Sequence, residues 1–146
     1  MFTDSRNDTR KFFFEVWARM KAGEALEDMA GLVGDVIALH PEYHATLDDG
    51  HRVISRDLGG AEPVHNPFLH MGLHIALREQ LAANRPAGIA VEYARLREGT
   101  TDIHAVEHRM IECLASELWR AQASGQLPDE RAYLAAVAKL RLRAMR

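Results

Sequence analysis

Three pairs of histidines, His40/His44, His70/His74 and His104/His108, each stand four residues apart in this chain. Residues at that spacing lie one turn above each other on an α-helix and face the same way. A chain that uses these pairs must therefore be helical in three places and must find partners for six imidazoles. Around the second pair the sequence reads Asn66-Pro-Phe-Leu-His-Met-Gly-Leu-His-Ile-Ala-Leu, so His70 and His74 share one stripe with Leu73, Leu77 and Leu81. The eight histidines all fall between His40 and His108, the other two being His51 and His65. Such clustering predicts one place in space.

Helical periodicity extends through most of the chain, and no alternating strand or hairpin pattern appears. The expected fold is all-α, a helical bundle of about five to six helices with a four-helix core. At 146 residues the chain is expected to be one domain, large enough to bury a core without staples. The first helix is predicted over about Asp4–Ala22, with Phe13, Val16, Trp17 and Met20 inward. A second starts near Glu24 and places Leu26, Met29, Val33, Val36, Ile37 and His40 on one side. Pro41 disfavours α geometry at His40, so this helix either kinks there or restarts with Pro41 in its first turn. Residues 48–65 carry Asp48-Asp49-Gly50, Gly59-Gly60 and Pro63 and read as one long loop holding His51 and His65. Asn66-Pro67 then caps a third helix ending near Ala83 or Asn84. Shorter and longer helices follow over about Ile89–Arg97 and Asp102–Ser124, and Pro128-Asp129-Glu130 opens a last one reaching Leu140 or beyond.

Composition removes several function classes. The formal net charge is −3, from 18 Lys+Arg against 21 Asp+Glu, spread along the chain, which gives no footprint for nucleic acid or an anionic membrane. Cys113 is the only cysteine, which excludes an internal disulfide and a thiolate zinc site. The N-terminal residues have no apolar signal core and no apolar run approaches membrane-spanning length. A cytoplasmic location is expected.

Burial penalises each ionisable group that lacks a partner, and the penalty is relieved by hydrogen bonds, a shifted pKa or a metal. Six imidazoles with a carboxylate favour a transition metal. The expected ions are iron or zinc, then copper or manganese, in a dinuclear non-haem site. If the second and third predicted helices run antiparallel and the fifth parallels the third, His44, His70 and His104 form one layer and His40, His74 and His108 the next. Glu107, which points into the apolar stripe of the fifth predicted helix, is the expected bridge, with Glu112 as the alternate carboxylate. A simpler variant uses His70, His74, His104 and His108 for a single ion. Arg78 and Glu79 follow the histidines and read first as a solvated helix end, with reach to the mouth of a site as the alternative.

The segments His40-Pro-Glu-Tyr-His44, Asn66-Pro-Phe-Leu-His70-Met-Gly-Leu-His74 and His104-Ala-Val-Glu-His108-Arg-Met-Ile-Glu112-Cys, with Leu118-Trp119-Arg-Ala-Gln and Pro128-Asp-Glu, resemble domain-of-unknown-function family 1841, a bacterial family of small proteins. That resemblance covers nearly the whole length and implies no activity. More loosely, histidines on successive helices are similar to haemerythrin-like and DinB-like metal-binding bundles, which implies non-haem metal chemistry.

The expected function is thus a histidine-rich metal-binding protein, with an open metal position for water, O2 or a small molecule. As an enzyme it would be a metal-dependent oxidoreductase or hydrolase, and no catalytic residue is assigned. The alternative is a metal-free interaction protein whose histidines form a buried hydrogen-bond network. Homo-oligomerisation through an apolar helix face is open to either.

Overall fold

The computed structural model describes residues 2–50 and 66–144. His51, His65 and most of the predicted loop lie outside the described residues. The described residues form seven α-helices and one 3-10 turn, with no strand among them. The all-α expectation is borne out. Two compact units divide the chain, residues 1–75 and 76–146, and the division falls within one helix.

The first unit contains α1 (Phe2–Lys21), α2 (Asp28–Ala38), a 3-10 turn (Pro41–Tyr43), α3 (His44–Asp48) and the start of α4 (Pro67–Ala83). Helix α1 stops at Gly23, whose φ of 74° favours glycine, and the Glu24 amide closes the turn by donating to the Arg19 carbonyl at 3.0 Å. The predicted second helix begins later than Glu24, because Asp28 adopts φ 53° and a right-handed helix cannot continue back through it. Met29 is correspondingly exposed rather than inward. At Pro41 the chain restarts: His40 leaves helical geometry at φ −125°, ψ 63°, and Pro41 opens the 3-10 turn.

Phe13, Val16, Val33, Val36, Ile37, Leu47, Phe68 and Met71 form the core of this unit. Phe13 and Phe14 meet the Phe68 ring edge-on at 5.7 and 5.6 Å, the arrangement that ring quadrupoles favour. Gly34 leaves room for Leu26 of the α1–α2 connection, since a Cβ there would stand 2.7 Å from Leu26 Cδ1. Helix α3 is tied to α1 by Asp48, whose Oδ1 accepts from Trp17 Nε1 and Lys21 Nζ, both at 2.7 Å. Those bonds, the lysine's first, hold the Asp48 carboxyl below its ordinary range.

The second unit contains the rest of α4, α5 (Ile89–Arg97), α6 (Ile103–Ser124) and α7 (Glu130–Ala144). Leu77, Ile89, Leu96, Val106, Met110, Ile111, Leu114, Ala121, Tyr133 and Val137 are its buried apolar residues among the described ones. Ile103 and Leu118, at helical spacing from the buried Val106 and Leu114 of α6, are each 40% exposed. Asp102 caps α6 by accepting from the Ala105 amide at 3.0 Å, and Gly125 ends it at φ 68°. Tyr133 donates from its hydroxyl to Gln80 Oε1 at 2.7 Å, and burial, then Cys113, raises its pKa.

Glu117 links α6 to the start of α7. Its carboxylate accepts from Arg120 at 2.6–3.1 Å and from the Asp129 amide at 2.8 Å. The Arg120 bonds, followed by the Asp129 amide, pull its pKa from an ordinary 4.5 to about 2. A depressed carboxyl pKa contributes stability above the unfolded value, and that contribution is lost as pH falls through the folded one. Glu117→Gln is therefore expected to unfold at lower urea than the parent at pH 6. The gap should shrink between pH 4.5 and 2; a gap unchanged over that window would contradict the assignment.

Candidate metal centre

In the first unit, the restart at Pro41 fixes where His40 and His44 point. His40 is 1% exposed, and its Nδ1 stands 2.8 Å from the Val36 carbonyl. A carbonyl only accepts, so Nδ1 carries the proton and Nε2 is the basic nitrogen of the ring. A hydrogen bond of this kind to one ring nitrogen is how proteins orient a ligating imidazole. Tyr43 stacks on the His40 ring at 5.4 Å, with the planes 8° apart. Burial, then Glu42, raises the Tyr43 pKa.

His44 turns elsewhere. Its Nε2 donates to the Ile37 carbonyl at 2.9 Å, and its ring lies 4.3 Å from Trp17. The layer expected to include His44 is thus not the arrangement around its ring. Trp17, read from sequence as core packing, is half-buried and serves both His44 and Asp48.

His74 is fully buried, and its ring centroid is 4.5 Å from that of His40. Ligand atoms of these two residues lie within 4.8 Å of each other, in a group suited to holding a metal. His70, half-buried, is 5.1 Å from His40 by ring centroid. The Nε2 atoms of His70 and His74 are 3.2 Å apart, so one ring donates and the other accepts.

In the second unit, His104 and His108 stand one turn apart on α6 with ring centroids 4.2 Å apart. Their ligand atoms also lie within 4.8 Å of each other. Both rings are half-buried. Glu107, between them in sequence, is 2% exposed, and both of its oxygens are taken by Arg78: Nε to Oε1 at 2.9 Å, Nη2 to Oε2 at 3.0 Å. This forked pair is the strong form of a carboxylate contact. The carboxylate expected to bridge metals thus meets an arginine here. Glu112, the alternate, is exposed.

Arg78, which reads from sequence as solvated, holds the buried carboxylate flanked by the α6 histidines. One signal pointed to it. His70, His74 and Arg78 follow one another at four-residue intervals, which puts them on one face of α4.

Chemically, imidazoles held in pairs offer nitrogen donors that suit zinc, iron, copper or manganese. No helix among the described residues is long and apolar enough to cross a membrane. No curated protein and no solved structure matches the chain, so the likeness to haemerythrin-like and DinB-like bundles rests on histidine spacing alone. A family model described as a domain of unknown function (DUF1841) matches residues 5–139, and the chain belongs to that family.

Proposed function

We propose that this protein holds a transition-metal ion, iron or zinc first, with His40, His74, His104 and His108 as its candidate ligands. The observation that carries the reading is the pair of buried imidazoles His40 and His74, with ligand atoms inside 4.8 Å and His40 oriented by the Val36 carbonyl. The half-buried His104/His108 pair of α6 offers nitrogens of the same kind. A second ion would draw on His70, and on His44 only after it gave up its bond to Ile37. Glu107 acts on this reading through Arg78 rather than as a bridge, and Glu112 stays outside the ligand set. Such an ion supplies Lewis-acid or redox chemistry toward water, O2 or a small molecule.

A ligand bound only by the folded state raises stability by mass action, about 2.7 kcal/mol when free ligand stands at a hundred times Kd. Protein made without a polyhistidine tag and loaded with iron(II) or zinc is expected to lose about 5–10 °C of melting temperature on chelation. His108→Gln, at a half-buried position, should remove most of that chelator-sensitive increment. The second reading, a metal-free interaction protein with a buried histidine network, is favoured by the His70–His74 hydrogen bond. On that reading melting is the same with metal and with chelator.

A further inference from the structure

A cavity of about 470 Å³ opens in the second unit, with no histidine in its lining among the described residues. It is lined by Arg95 and Glu98 at the end of α5, Arg109 on α6 and Arg141 on α7, over an apolar floor that includes Leu96 and Val106. Leu96 and Val106 are 7% and 4% exposed, so the floor is packed core. Arg95 shares its guanidinium with Glu92 at 2.9 Å. Arg109 and Arg141 are exposed and make no ion pair among the described residues.

Three helices thus bring three guanidinium groups to one concavity, and among the described residues Glu98 is the one carboxylate in its lining. Like charges gathered this way repel unless a counter-charge joins them. The start of α6 adds the partial positive charge of a helix N-terminus. A planar guanidinium pairs best with phosphate or carboxylate oxygens. With Arg95 matched by Glu92, Arg109 and Arg141 remain as the two guanidinium groups without an ion pair among the described residues, and a phosphate monoester, which carries about −1.5 to −2 at pH 7, can meet both. The volume falls in the range of small-molecule sites, and the apolar floor suits an organic group beside the anion.

We propose that this cavity binds a small organic phosphate monoester, with Arg109 and Arg141 gripping the phosphate and the Leu96–Val106 floor taking the organic part. The site does not depend on the metal reading. Its natural ligand could act there as substrate or as effector; the recognition chemistry is the same.

Calorimetric titration of the full chain with phenyl phosphate at about 0.15 M salt, where surface charges are screened beyond ~8 Å, tests the proposal. Saturable binding with Kd below about 1 mM is expected. Arg109→Gln/Arg141→Gln should weaken binding at least about tenfold, with the ligand-free melting temperature unchanged because both side chains are exposed. Benzenesulfonate, a monoanion of the same shape, should bind the parent about tenfold more weakly. Absence of saturable phenyl phosphate binding, equal binding by the double variant, or equal binding of the two anions would each overturn the proposal.

Discussion

Replacing Arg78 with methionine is expected to lower stability by about 2–4 kcal/mol in urea unfolding. The reason is the partner left behind. Glu107 has a side chain only 3% exposed, and Arg78 supplies a donor to each of its oxygens. Removing one member of a buried pair typically costs 3–5 kcal/mol, about that range; the lower figure used here reflects the 27% exposure of the Arg78 side chain, which lets water replace part of the interaction. The double variant Arg78→Met/Glu107→Met separates charge from packing, since exchanging both partners for apolar groups is often neutral. It should be more stable than Arg78→Met alone. A double variant as unstable as the sum of the two single ones would mean that the pair contributes no coupling.

Phe13→Ala is expected to destabilise the first unit by about 3–5 kcal/mol. Phe13 is 2% exposed at the centre of the core made by α1, α2, α3 and the start of α4, and its ring meets Phe68 at 5.7 Å. The truncation removes buried apolar area and leaves a void that a close-packed interior closes only in part. Phe12→Ala offers the comparison: Phe12 is half-buried at the edge of the same core, so its loss should cost roughly half as much. Chemical denaturation of the two variants side by side checks this ordering. Equal losses would show that Phe13 is not at the centre of the core.

Much of the fold was legible because its punctuation is local. Asn66 caps α4 by accepting from the Phe68 and Leu69 amides at 3.0 and 3.2 Å. Asp102 and Gly125 bound α6 where their residue types indicate. These signals depend on the backbone of a few adjacent residues. The late start of α2 was not legible, since a left-handed aspartate at Asp28 leaves no mark that distinguishes it from an ordinary helix residue.

The candidate site was legible in a different measure. Spacing correctly placed His40 and His74 in buried surroundings, because periodicity reports which face of a helix turns inward. It does not report which group arrives on that face from another element. His44 shares its spacing with His40, yet it is captured by the Ile37 carbonyl and Trp17 once the chain closes through the 3-10 turn. Glu107 was expected to be buried and is, but its partner is an arginine 29 residues away in sequence. Arg78 looked like the polar end of an apolar helix, and only the packing of α4 and α6 within the second unit gives it a role.

The most direct test of the central claim is elemental analysis of untagged protein after reconstitution with iron(II), zinc, copper(II) or manganese(II) and removal of loose metal. About one equivalent of a single transition metal per chain, lost on substitution of His74 or His108, is the result predicted. Fewer than about one tenth of an equivalent of every metal tried would contradict it.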